Sequence, residues 1–124
     1  MDWNEIGRSS LSAARRVRQE HPRSAISRAY YAAHSVVTTA LLDAGYLPEA
    51  GRQTPPHTAL ASLIRRYLIG RGQRLVRELQ ATIRRLYAAR LDSDYNRRVT
   101  IDKTVALQAV RDAHAVFGML EVEP

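Results

Sequence analysis

The chain has 124 residues, 45% of them hydrophobic and 25% charged, and contains no cysteine. That suffices for one domain with a single core and excludes disulfide scaffolds, thiolate metal sites and a cysteine nucleophile. Nineteen basic residues face twelve acidic ones, a net charge of +7, and no apolar run approaches the roughly 18 residues of a membrane span. The opening run Met1-Asp2-Trp3-Asn4-Glu5 is acidic and polar, unlike a secretory signal. One domain over residues 1–124 is expected, in the cytoplasm and away from membranes.

A first helix is predicted from about Asp2 to Glu20. Asp2 is its cap and Glu5 the capping-box partner; Trp3, Ile6, Ser10, Ala13, Ala14 and Val17 make an inward stripe, with Arg8, Arg15 and Arg18 opposite. His21-Pro22 ends it, and Ser24 is placed to cap a second helix reaching Ala44. There Ile26, Ala29, Tyr30, Ala33, Val37, Ala40, Leu41 and Ala44 recur at helical spacing, and Gly45 is placed as a left-handed C-cap.

Tyr46 to Pro56 reads as a long surface loop, either mobile or functional. A third helix starts near His57 or Thr58, with Leu60, Leu63, Ile64, Tyr67 and Leu68 inward, and Gly70-Arg71-Gly72 breaks it. A fourth spans about Gln73 to Leu91. Leu75, Leu79, Thr82, Ile83, Leu86 and Arg90 mark one face, and Arg77, Arg84 and Arg85 the other. Ser93 to Arg98 reads as a turn. Thr100 or Asp102 caps the last helix, whose core face is Val105, Ala109, Ala113, Val116, Phe117 and Leu120. Strand-like alternation is confined to a few residues near Arg98–Ile101. The expected fold is all-α, an antiparallel up-down bundle of four to five helices.

The charge is unevenly placed. Between Arg65 and Arg98 ten arginines face Glu78, Asp92 and Asp94, while the rest of the chain balances at zero. Such a stretch is either a solvated helix face or a surface that meets phosphate or an acidic partner. The four histidines (21, 34, 57 and 114) lack metal-ligand spacing, so no metal site is expected. No phosphate loop follows a strand, and no nucleophile elbow is present; no cofactor is indicated.

Two segments stand out. In Ser27-Arg28-Ala29-Tyr30-Tyr31-Ala32-Ala33-His34, Arg28 and Tyr31 share a face with Ser35 and Thr38. Tyr30 belongs to the apolar seam, and His34 borders both. An arginine there requires an acidic partner if it is buried. The second segment is Arg90-Leu91-Asp92-Ser93-Asp94-Tyr95. Arg90 and Asp94 are spaced to pair along the helix; alternatively Asp94 reaches Arg28 and Tyr95 packs beside Tyr30 and Tyr31. These residues form either a buried polar clasp between two helices or the floor of a nucleotide- or RNA-binding groove.

Arg-Ala-Tyr-Tyr-Ala-Ala, followed some sixty residues later by Arg-Leu-Asp-Ser-Asp-Tyr, resembles the HEPN superfamily. The closer likeness is to its small stand-alone prokaryotic branch, with an Ala-Tyr-Tyr-Ala signature and a later Arg-x-x-x-Asp-Tyr. The resemblance implies a four- or five-helix bundle, usually a homodimer, often encoded beside a minimal nucleotidyltransferase as a toxin–antitoxin pair. Active members are metal-independent endoribonucleases, in which an arginine precedes a histidine by four to six residues at the dimer cleft. This chain has Arg90 at the corresponding place, with Asp94-Tyr95 where the histidine should follow. Arg28 and His34 have an Arg-x₅-His spacing on the earlier helix, but lie about 120° apart around it.

The candidate catalytic residues are therefore Arg90, Asp94 and His34. The candidate binding residues are Arg28, Tyr31, Tyr95, Arg77, Arg84 and Arg85. The expected partners are RNA or a nucleotide, a minimal nucleotidyltransferase and a second copy of the chain. The alternative is a non-catalytic dimeric module whose arginines dock an acidic nucleotidyltransferase.

Overall fold

Asp2 Oδ1 accepts the Asn4 N–H at 2.8 Å, satisfying one free donor of the first turn, and α1 follows over Trp3–Val17. The structure, a computed structural model, describes residues 2–96 and 100–124. Four further α-helices complete it: α2 Pro22–Asp43, α3 Leu60–Leu68, α4 Gln73–Tyr95 and α5 Lys103–Met119. Short 3₁₀ turns at His57–Ala59 and Ile69–Arg71 flank α3. Among the described residues there is no strand, and the architecture is the expected helical bundle. The suggested alternation near Arg98–Ile101 falls largely outside the described residues.

α2 is the central helix and packs against all four others. Its predicted seam is buried from Ile26 to Leu41, whereas Ala44 is exposed. Ala32, His34, Ser35, Val36 and Thr38 are buried too, so α2 has almost no solvent face along its middle. Pro22, at the first helical position, starts it two residues before Ser24. Proline suits that position because its missing N–H would be unpaired there anyway. At the other end Gly45 has φ +100°. Tyr46 N–H bonds to Leu41 O at 2.9 Å and Gly45 N–H to Leu42 O at 3.1 Å, the paired bonds of a left-handed helix stop.

α1 lies closer to α2 than the predicted stripe implies. Its buried line is Gly7, Leu11 and Ala14. A Cβ at Gly7 would sit 2.9 Å from Val36 Cγ1 and 3.1 Å from the Ala32 carbonyl oxygen, so glycine permits this approach. Trp3, Ile6 and Ser10, expected inward, are only half-buried and border a surface cleft. Ala14 is shared by the predicted and the buried line, and the buried line is turned toward Leu11 and Gly7, the second of which carries no hydropathy signal.

α4 also departs from expectation. Ser93, Asp94 and Tyr95 are helical rather than a turn, and Arg97 and Arg98 lie outside the described residues. The extension has a tertiary cause. Arg23 on α2 donates from Nη1 to the Ser93 and Asp92 carbonyls at 2.6 and 3.2 Å, and Ser93 Oγ donates to Arg23 O at 3.3 Å. These contacts anchor the last turn of α4 to α2; the Asp92 carbonyl also accepts the Asn96 N–H at 3.1 Å. Asp102 caps α5, accepting from the Thr104 and Val105 amides.

Candidate functional site

The Tyr-Tyr segment of α2 faces two other parts of the chain. From α4 come Tyr87 and Arg90, one helical turn apart. From the end of the long connection comes His57, which the prolines at 55 and 56 deliver at the start of its 3₁₀ turn. Together they build a ring cluster around Tyr30, with His57 at 5.4 Å, Tyr87 at 5.5 Å, Tyr31 at 5.8 Å and His34 at 5.9 Å between centroids. His34 and His57 are closer still, at 4.7 Å.

Hydrogen bonds fix several of these rings. The Tyr30 hydroxyl and His57 Nδ1 are 2.7 Å apart, a hydrogen bond that either tautomer of the imidazole can make. Burial pushes the Tyr30 phenol well above the ordinary tyrosine range, so it is un-ionised at neutral pH. His34 Nε2–H donates to the Pro55 carbonyl at 3.1 Å, which ties the loop to α2 two residues before His57. His34 is 5% exposed. Burial, and then the adjacent His57, lower its pKa to about 4. Burial, then the Arg90 charge, lower that of His57 as well. Both imidazoles are neutral at neutral pH.

Arg90 sits behind this layer. Its guanidinium lies 4.9 Å from the Tyr31 ring centroid and 5.4 Å from that of Tyr30, a cation held on two aromatic faces. Nη2 donates to the Tyr31 hydroxyl at 2.9 Å. Nε lies 3.3 Å from Asp94 Oδ2 at an ion-pairing distance, without hydrogen-bond alignment. The Arg90 side chain is only 12% exposed, whereas Tyr31 is 40% exposed. Arg90 therefore reaches solvent chiefly through Tyr31. Because the phenol oxygen accepts from a cation, its own O–H is a stronger donor than an isolated tyrosine's.

In front of the cluster is an open cleft of about 410 Å³. Trp3, Ile6 and Ser10 of α1 form one wall; Arg28, Tyr31, His34 and Ser35 of α2, with Thr54 and His57, form the rest. The cleft offers an apolar wall, an exposed guanidinium on Arg28, a polarised phenol and a neutral imidazole. Among the described residues no three His, Cys, Asp or Glu side chains are grouped to hold a metal ion.

The sequence-derived candidates are thus divided. Tyr31, His34 and Arg28 share the cleft, with Arg90 and Asp94 behind it. Of the two pairings considered for Asp94, the one within α4 is present. Arg28 instead approaches Ser24 Oγ at 3.4 Å, and no ion pair joins it to Asp94. Tyr95 is 71% exposed and does not pack beside Tyr30 and Tyr31, because helix continues to Tyr95 and carries its ring around α4. Arg85 is engaged with Asp112 of α5 at 3.3 Å. Arg77 and Arg84 are exposed.

His57 and Tyr87 were missed as site residues. His57 followed a proline-rich loop whose path only the fold defines. Tyr87 carried a weak signal, since it precedes Arg90 by three residues and so shares its face.

No curated protein and no solved structure matches the chain. A family model described as HEPN domain matches residues 1–123, nearly the whole length, and the bundle and the paired motifs agree with it. On that match, the chain belongs to the HEPN domain family.

Proposed function

We propose that this protein is an RNA-binding HEPN module that cleaves its substrate without a metal ion, at the cleft between α1, α2 and the His57 turn. The observation that supports this most directly is the packing of Tyr31, whose hydroxyl accepts from Arg90 at 2.9 Å, against the neutral imidazole of His57, with ring centroids 6.0 Å apart. Cleavage at a ribose forms a bond from the 2′-oxygen to phosphorus as the P–O5′ bond breaks. It needs a base for the 2′-OH proton and a donor for the negative charge that grows on the phosphate; the departing 5′-oxygen takes its proton from the conjugate acid of the base or from solvent. In the tautomer that donates Nδ1–H to Tyr30, His57 keeps the Nε2 lone pair for the first task. Tyr31, with Arg28 at the same wall, serves the second. His34, Arg90 and Asp94 then act as positioning residues: His34 through Pro55, Arg90 through Tyr31, and Asp94 through Arg90.

The biological setting we propose is the toxin-like half of a pair with a minimal nucleotidyltransferase, acting as a homodimer in the cytoplasm. The family resemblance and the basic α3–α4 surface support it.

The test is RNA cleavage in EDTA by the parent, His57→Gln and Tyr31→Phe proteins, read as product with 2′,3′-cyclic phosphate ends. The parent should cleave, His57→Gln should lose about 10²-fold or more of the rate, and Tyr31→Phe should lose less. A His57→Gln protein that cleaves at the parental rate removes His57 from the chemistry and the proposal with it.

A further inference from the structure

A second basic feature lies away from the cleft. Between α3 and α4 is an open groove of about 590 Å³, bordered by Arg65, Arg66, Arg84, Ser62 and Gln80. Its floor is tied by Gln80 Nε2, which donates to the Ala61 carbonyl at 2.8 Å. None of its three arginines makes a salt bridge among the described residues. Arg74, Arg85 and Arg90, in contrast, are each paired with a carboxylate. Three guanidiniums without a counter-charge around one concavity suit an anion supplied from outside.

The groove and the cleft each share a lining residue with a third, smaller hollow, which is bordered by His57, Thr58, Ile83, Arg84 and Tyr87. His57 also lines the cleft, and Arg84 also lines the groove. The hollow presents two nearly parallel rings, His57 and Tyr87, at 7° between planes and 6.1 Å between centroids. Guanidiniums followed by aromatic faces in neighbouring depressions that share lining residues are what a single nucleic-acid strand uses: charge for the backbone and rings for the bases. An acidic polypeptide has no need of the rings.

We infer that the α3–α4 groove is a second phosphate-binding site, holding the backbone of a single RNA strand whose adjoining nucleotide passes over His57 and Tyr87 into the cleft. The groove contacts stand whether or not the cleft cleaves; only the direction of the strand rests on the proposed function.

The test compares the parent with the triple variant Arg65→Gln/Arg66→Gln/Arg84→Gln, using fluorescently labelled oligoribonucleotides of two lengths at several salt concentrations. All three residues are exposed, and an unchanged circular dichroism spectrum and melting midpoint confirm that the variant is folded. Each single-strand phosphate contact contributes about −0.7 to the slope of log affinity against log salt. For a decanucleotide the triple variant should therefore bind more weakly, with a slope shallower by about 2. A dinucleotide, filling only the cleft, should bind both proteins equally. An unchanged decanucleotide slope overturns the inference, as does displacement of the RNA by polyglutamate as effective as by unlabelled oligonucleotide. A cleft variant, Tyr31→Phe, separates the two readings. If it leaves dinucleotide binding intact while the triple variant loses decanucleotide slope, the cleft assignment fails and the groove stands.

Discussion

His34 shows how a residue legible as important acquires its role only from what surrounds it. Its ring donates to Pro55 and, being buried beside His57, has its pKa lowered to about 4. An unfolded histidine titrates near 6.5. Between these values the unfolded chain takes up a proton that the folded chain refuses. The stabilising contribution is therefore present above about pH 6.5 and declines as pH falls toward 4, by roughly 2–3 kcal/mol across the window. The lowered His57 pKa acts in the same direction. Urea unfolding at a series of pH values should show this decline in the parent and a much smaller one in His34→Gln, whose amide nitrogen can take the place of Nε2 and donate to Pro55. Equal pH dependence in both proteins would show that His34 is not the titrating group. The other site residues divide similarly. Arg90 and Asp94 were readable as a pair from their spacing, but that Arg90 would serve Tyr31 required α2 and α4 to meet.

At the level of elements, the α1–α2 contact depends on Gly7. An alanine there gains about 1 kcal/mol of helix propensity, yet its methyl group meets Val36 Cγ1 at 2.9 Å and a backbone oxygen at 3.1 Å. Val36 is fully buried and, being β-branched, has little rotamer freedom. Overpacking of this kind costs about 1–3 kcal/mol. Gly7→Ala should therefore destabilise the protein by about 1 kcal/mol net, read as a lower urea midpoint with unchanged slope. Gly7→Ala combined with Val36→Ala should cost less than the sum of the two single changes, because the second makes room for the first. Additive costs would place the helices further apart than described. Helix limits obey the same logic. Local signals located the caps at Asp2 and Gly45 and narrowed that of α5 to Thr100 or Asp102, since those act within a few residues. They placed the start of α2 at Ser24, two residues late. The end of α4 was misplaced because its last turn is anchored by Arg23, about seventy positions away in the chain.

At the scale of the whole molecule, the charge excess is distributed with purpose. Some arginines of the second half are neutralised locally, by Glu78, Asp94 and Asp112, while Arg65, Arg66 and Arg84, with no ion pair among the described residues, line the α3–α4 groove. Without a bound anion these like charges repel one another through solvent, and salt screens that repulsion. Raising sodium chloride from a low concentration to about 0.15 M should stabilise the free protein by roughly 0.5–1 kcal/mol, about 2–5 °C in melting midpoint. The rise should shrink in the Arg65→Gln/Arg66→Gln/Arg84→Gln variant. A midpoint that falls with salt in the parent would mean that surface ion pairs outweigh the repulsion.

Composition and helical periodicity by themselves determined that this protein is a helical bundle with a basic second half, because apolar spacing and caps act over one or two turns. Its family was also legible there, in the two tyrosine-bearing motifs. Only the tertiary structure decided which arginines stay unpaired, that His57 and Tyr87 join the site, and that Tyr31 rather than Arg90 meets the solvent. Those outcomes depend on residues far apart in the chain being brought within hydrogen-bonding distance, and on burial, which is a property of the packed molecule and not of any segment of it.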